Sequence, residues 1–366
     1  MLLQKLGDTS NTLQLPTSKT ESWKYTNLRA LDKAAAKLQA GALAQELNAE
    51  FALSTQPEAP LPNGGVALKT SGVFAELAAR APVFTHELSA QHYFYLCPSQ
   101  ANGIVQQAQR FTLAAGAHAT LVWHHTGTLE NTFSNFLTQI ALAENAELTL
   151  IRMQLAGNSA SLIERTEISA AAGAKINVVD INFGAQLARH ELHITLNGTA
   201  AHAQVVSLSV LNTRQHCDTQ LVLNHNAANT TSNTRVKAVA DARARSVFNG
   251  RIYVAKGSDG TDAQLKTNNL LLSDAAEIDT KPELEIHAED VKCSHGATIG
   301  QLDDNALFYL RSRGIDAPQA RQILTVAFCQ ELLEAILDLE LRAKLIALLT
   351  AKLPATVLNN AGQEPV

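Results

Sequence analysis

Four short stretches decide the fold: GAHATLV (Gly116–Val122), NAELTLI (Asn145–Ile151), GAKINVV (Gly173–Val179) and AAHAQVV (Ala200–Val206). Each begins with a turn-forming or small residue. Each then carries Ala, a polar position and a run that ends on an apolar pair. The shared alanines stand at 117, 146, 174 and 201, in steps of 29, 28 and 27 residues. A strand-built repeat of this length predicts a β-solenoid, in which every coil stacks its strands on those of the coil before. Alternate side chains then point into a narrow interior that favours small and β-branched residues. Weaker echoes at DARARSV (Asp241–Val247) and DAAEI (Asp274–Ile278) read as continuations of the same repeat. The competing fold is an antiparallel sandwich with regular hairpins, for which Asn197-Gly198 and Asn249-Gly250 supply turn signals.

Outward from the repeat the pattern turns helical. Residues 1–85 are expected to form an N-terminal helical region, with candidates at Ser18–Leu31, Gly41–Phe51 and Val73–Arg80 and a breaker-rich linker at Ser54–Gly65. The β-helix core is expected to run over 86–302, and a C-terminal helical region over 303–366. Asp303 or Asp304 can cap a helix that Gly314 stops, and Pro318 opens a second, whose apolar period runs from Ile323 through Ile336 to Leu349. The tail from Pro354 is expected to fray. Solenoid ends expose core and unpaired backbone, so they need capping by these helices or a partner chain.

Composition narrows the function. A net charge of -5 with only 17% charged residues leaves no basic stripe, so nucleic acid is not an expected partner. No run of about eighteen apolar residues predicts a membrane span. The start, MLLQKLGDTSNTLQLP, lacks a basic segment followed by an apolar one, and the expectation is a soluble cytoplasmic chain. Cysteines 97, 217, 293 and 329 are too scattered for a disulfide framework or a closed zinc site.

In VKCSHGATIG (Val291–Gly300), Cys293 and His295 are two residues apart and share one face of a strand. Two ligands are too few for a metal centre, so the pair works only if others come from elsewhere. The same-strand spacing is poor for a nucleophile and its base. His216, Cys217 and Asp218 alternate faces, one core-facing and the other exposed. His124-His125 read as a solvated strand end, and His190 and His193 as ordinary strand histidines. Asp259, Asp262, Asp274 and Asp279 read as turn markers. A β-helical carbohydrate-active enzyme, the alternative function, would need carboxylates held in pairs. There is no GxxxxGK[ST], so no ATP hydrolysis is expected, and the chain reads as a non-enzyme.

Three segments carry a resemblance. LLLSDAAEIDTKPELEIHAEDVKCSHGATIGQLDDNALFYLRSRGIDAPQARQILTVAF (Leu270–Phe328), SKTESWKYTNL (Ser18–Leu28) and HNAANTTSNTRVKAVADARARSVFNGRIYV (His225–Val254) resemble the SufB/SufD family of iron–sulfur cluster assembly proteins. The length and the N-terminal motif are similar to the SufD branch rather than the longer SufB branch. The resemblance implies a right-handed parallel β-helix with flanking helical regions. It also implies a scaffold role in a SufBCD complex, with SufB paired at the β-helix edge and the ATPase SufC docked on the C-terminal helices. Without SufB the oligomeric state is left open, a homodimer among the alternatives. A transient iron–sulfur cluster shared with SufB is implied at the interface, with His295 as a ligand and Cys293 a second candidate. Nothing is expected to stay tightly bound to the isolated chain. Glu289, Asp290 and Lys292 are placed to tune the site, while Cys97, Cys217 and Cys329 read as structural thiols.

Overall fold

The computed structural model describes residues 2–6, 8, 13–40, 43–44, 61–62, 68–81, 83–89, 91–98, 101–125, 130–334, 336 and 339–353. The linker reading at Ser54–Gly65 falls outside these residues except for the strand Leu61–Pro62, and the tail reading from Pro354 lies wholly outside them.

The four repeats start successive strands of one parallel sheet: His118–His125, Glu147–Gln154, Lys175–Asn182 and His202–Leu211. That sheet continues through Thr231–Ala240 and Thr261–Leu271 to Val291–Gly300. A second parallel sheet takes the alternate strands, from Val83–Glu87 and Gly103–Leu113 to Arg245–Val254 and Glu277–Ile286. Together they make a solenoid of about seven turns. The antiparallel sandwich is thereby excluded. Its hairpin signals sit elsewhere: Asn197-Gly198 lies at a corner and Asn249-Gly250 inside a strand.

The corners explain the Gly/Asn punctuation. Before six successive strands of the first sheet, His118–His125 to Thr261–Leu271, one residue adopts positive φ: Gly116, Asn145, Gly173, Ala200, Asn229 and Gly260. Each donates its N–H to a carbonyl of the next coil's corner, for instance Asn145 to Ala172 and Gly173 to Thr199, both at 2.9 Å. The backbone ladder therefore continues around the bend. At Gly173 (φ 65°) glycine takes this conformation without strain, and a Cβ there would push on the Asn145 amide, whose Oδ1 would lie at 2.2 Å.

Register shows where the repeat goes. Ala146, Ala174 and Ala201, each fully buried, precede the in-register residues Glu147, Lys175 and His202, and Thr230 and Thr261 then hold that place. The echoes at Asp241–Val247 and Asp274–Ile278 are not continuations. They enter Arg245–Val254 and Glu277–Ile286 of the opposite sheet. Both corners use tight turns with small buried residues, as at Ala244 and Ala276, so the motif repeats without marking the same strand.

The interior holds a column of Leu, Ile, Val and Ala with Phe111, Trp123, Phe136 and Phe248. The terminal segments lie on the flanks of the solenoid. Leu2, Leu6, Trp23, Leu28, Phe74 and Leu77 pack on Ile104, Phe133, Ile163 and Leu187 of the second sheet. Cys329, Leu332, Leu333, Leu345 and Leu349 pack on the outward row of the first, including Ile151, Val179, Val206 and Val239. The helical reading of the N-terminal segment needs correcting. Ser18–Leu31 holds only the 3-10 turn Glu21–Trp23 and the start of helix Arg29–Ala34. Within Gly41–Phe51 the described residues Leu43–Ala44 are a strand paired with Cys97 and Pro98. The segment adds edge strands where helical propensity alone predicted a turn of helix.

At the C-terminus the capping signals hold, but the apolar period read as one helix from Ile323 to Leu349 is divided between two, Ala317–Leu333 and Leu339–Lys352. Asp303 accepts from Asn305 N and caps helix Asp304–Ser312, and Gly314 follows at φ 87°. Asp316 caps Ala317–Leu333, with Pro318 in its first turn, and Leu339–Lys352 completes the set. None of these helices covers the last coil. The strands Glu277–Ile286 and Val291–Gly300 have no further strand beyond them among the described residues, and no residue of either is buried.

Candidate functional site

The open coil is where the thiol and the imidazole stand. Register follows one inward row through Leu121, Leu150, Val178, Val205, Thr234 and Leu265 to His295. The parallel row Leu148, Ile176, Ala203, Ser232 and Ala263 ends on Cys293. Positions that are buried and nonpolar or hydroxylic in every earlier coil thus become Cys and His at the end of the stack. Both side chains occupy one face, as the i, i+2 spacing requires. His295 is exposed, while Cys293 is half-buried and packs against the interior cluster.

Burial pushes the Cys293 thiol up from its ordinary value; a backbone hydrogen bond from Ala263 opposes this and the Asp262 carboxylate adds to it. Without a metal the sulfur is therefore a thiol near neutral pH. Binding iron would have to displace its proton. Lys292 lies in register with Asp262, and Glu289 and Asp290 are exposed at the corner just before the strand. Among the described residues no three His, Cys, Asp or Glu side chains come together as a metal-holding group. Cys293 and His295 are two donors on an edge unpaired among the described residues, too few by themselves to enclose a metal.

The remaining candidates are structural. Cys217 faces the interior near Ser209 (3.5 Å) and Thr219, and burial pushes its thiol up to about 12. Cys329 is buried under the C-terminal helices, and its thiol is likewise pushed up to about 12. The Cys97 side chain lies outside the described residues. His216 is half-buried rather than exposed: Thr26 lies against it, with Oγ1 3.1 Å from its Nε2. Thr26 also donates to Asp218, which pairs with Arg189, and the Trp23 ring stacks 3.8 Å from that guanidinium. Trp23, Tyr25 and Thr26 of the N-terminal motif thus strap the segment to the solenoid flank. Of the four aspartates read as turn markers, Asp262 and Asp279 are strand residues instead, and Asp279 pairs with Arg245 at 2.8 Å.

His124 and His125 correct the solvated-end reading, because both are buried. His125 points inward, stacks on Phe136 at 5.3 Å and lies 2.9 Å from Glu164. Glu164 also binds Arg152 at 2.6 Å, Arg152 binds Asp180 at 2.8 Å, and Asp180 is 3.1 Å from His190 Nδ1. Burial opposes ionisation of Glu164 and Asp180, but Arg152 with His125 and His190 outweighs it and holds both carboxyls below their usual range. An ion network inside a solenoid was invisible in the sequence. Its paired members are 10–39 residues apart in the chain and meet because successive coils stack.

Acid should unfold this molecule early. Burial lowers His124 and His225 from 6.5 to about 4, and His225 sits between the Thr230 and Ser232 hydroxyls at 2.8 and 3.0 Å. A histidine depressed by folding confers stability above pH 6.5 that is lost as pH falls toward 4. The lowered carboxyls act with the same sign further down. The urea midpoint is expected to drop steadily between pH 7 and 4, as the unfolding free energy falls by up to about 1.4 kcal/mol per pH unit for each proton taken up. A flat midpoint over that range would contradict these burial assignments.

The comparisons with known proteins agree with the geometry. The family model for the SUF system FeS cluster assembly SufBD core domain matches residues 97–328. The chain is 31% identical to the iron–sulfur cluster assembly protein SufD of Escherichia coli, over 93% of this chain and 90% of that one. It is 32% identical to an iron–sulfur cluster assembly SufBD family protein of Synechocystis, over 89% of this chain and 71% of the relative. A chloroplastic protein of Arabidopsis thaliana, ABCI7, is 29% identical over 62% of this chain and 48% of its own length. A parallel solenoid with an open terminal coil, matched over most of its length by these relatives, belongs to the SufB/SufD family of iron–sulfur cluster assembly proteins, on its SufD side.

Proposed function

We propose that the chain is a non-enzymatic scaffold of cytoplasmic iron–sulfur cluster assembly that becomes a working site only in a SufBCD-type complex. The observation that carries this reading is the uncovered last coil, with His295 and Cys293 ending two inward rows. A SufB-type solenoid pairing along Val291–Gly300 and Glu277–Ile286 would continue both sheets and bring its own donors to the two side chains. The nascent cluster is then cargo, held in part by His295 and released rather than kept. Protonation of Cys293 at rest fits such reversible holding.

The ATPase SufC is assigned to the C-terminal helices. Helix Asp304–Ser312 has no buried residue, and Phe308 and Tyr309 are 74% and 56% exposed. Large apolar side chains left in water on a charged helix mark a contact surface. Motion of SufC on this helix would be transmitted directly to the edge strand that ends at Gly300, only three residues before the helix begins at Asp304. Removing everything after Asp316 would expose the outward sheet row covered by Leu332 and Leu349, so point variants are the cleaner test. Phe308→Ala with Tyr309→Ala is expected to weaken SufC binding at least tenfold without moving the melting temperature. Unchanged affinity in a titration calorimeter would sink the docking assignment. In reconstitution, adding the chain to SufB, SufC, ATP, iron and a sulfur donor should raise the yield of cluster, and no increase would sink the scaffold reading.

A further inference from the structure

A groove on the outside of the first sheet is not used by this reading. It holds a cavity of about 250 Å³ between the strands Thr231–Ala240 and Thr261–Leu271 and the end of helix Ala317–Leu333. Three cations line it: Arg235, Lys237 and Lys266. Lys237 has a structural task. Its ammonium is buried beneath the helix, 2.7 Å from the Glu331 carboxylate, 2.6 Å from the Phe328 carbonyl and over the Phe328 ring at 4.3 Å. Its hydrogen bond and charge, with smaller contributions from Lys266 and Arg235, hold the Glu331 carboxyl below the usual range. Glu331 is thus already committed.

Arg235 and Lys266 are different. They stand directly opposite each other in register on neighbouring strands, both exposed. Like charges in that position are destabilising. Neither makes a hydrogen bond or ion pair among the described residues, and beyond a small attraction to the Glu331 carboxylate the fold gains nothing evident from placing them together. Asn268 accepts the Thr298 hydroxyl at 3.3 Å, which turns its NH2 donors away from that partner, and Gln264 borders the same space. The next position of this outward row, opposite Lys266, is Gly296, where an added Cβ would meet nothing within 4 Å. The groove is therefore open toward the terminal strand, on the face opposite His295. On a chain of net charge -5, one committed carboxylate against three cations is a local excess of positive charge.

We propose that this groove binds a phosphate-type anion carrying at least two negative charges, held by the Arg235 guanidinium fork, the Lys266 ammonium and the neighbouring side-chain amides. Arginine supplies paired planar donors and lysine a point charge, the combination suited to phosphate oxygens. The anion would relieve the repulsion between the two side chains, so binding and stability rise together.

Calorimetric titration of the full chain with sodium pyrophosphate, at ionic strength held constant with chloride, tests this. Wild-type protein should bind one equivalent, and Arg235→Gln with Lys266→Gln should weaken binding at least tenfold. The ligand-free double variant should melt no lower than wild type, since a like-charge pair has been removed. His295→Ala should bind pyrophosphate normally, so this proposal and the cluster-site reading fail separately. No binding to wild type, or equal binding to the double variant, would overturn it. Stronger binding of a polyglutamate peptide than of pyrophosphate would also overturn it, in favour of an acidic protein segment.

Discussion

Replacing His295 by alanine is expected to cut cluster formation by the reconstituted complex at least tenfold while leaving the fold intact. The side chain is exposed at the end of its row, so stability should change by less than about 0.5 kcal/mol. The imidazole is a nitrogen donor on the open edge. Losing even an outer-shell partner of a metal ligand typically weakens a site by roughly 10- to 100-fold, and losing the ligand itself should do at least as much. Cys293→Ser is expected to be milder, because its raised pKa makes the thiol a poorer resting ligand than the imidazole. Cluster absorbance and iron content read the effect, and melting temperature separates it from misfolding. Normal assembly by the His295→Ala complex would remove this residue from the site.

The largest stability effect should come from the interior. Arg152→Met is expected to cost about 3–5 kcal/mol, since it leaves Glu164 and Asp180 buried without their shared counter-charge. Their lowered pKa values depend on that guanidinium, so in the variant they should titrate nearer neutrality and the acid limb of unfolding should move up in pH. Adding Glu164→Gln and Asp180→Asn to Arg152→Met should recover part of the loss, because the uncompensated charges are gone. Urea unfolding of the three proteins measures this. A loss below about 1 kcal/mol in the single variant would mean that water, rather than Arg152, compensates the carboxylates.

Much of this architecture was legible before the structure. The step of 27–29 residues places coils, and period-two alternation puts Cys293 and His295 on one face. The capping aspartates and Gly314 mark the C-terminal helices because those signals are local. What escaped was everything decided between coils. His124-His125 looks like a wet strand end until Glu164 arrives from the next coil and both sheet faces are covered. The echo at Asp241–Val247 has the right letters but belongs to the other corner, since both corners solve the same backbone problem. The short helices and strands before residue 85 have weak propensity, and their form follows from the sheet they cover. The bareness of the last coil is likewise set by where the C-terminal helices pack, which the period of their apolar residues does not specify.

Hydrogen exchange resolves whether the open coil is a joining edge. Alternate amides of Val291–Gly300 and Glu277–Ile286 point away from the stack and have no strand to bond to, so in the isolated chain they should exchange rapidly while those of Lys175–Asn182 are protected. On forming the complex with a SufB-type partner, these terminal amides should become protected together. Continued fast exchange of both strands in an intact complex would show that the partner sits elsewhere and that His295 does not lie at a shared edge.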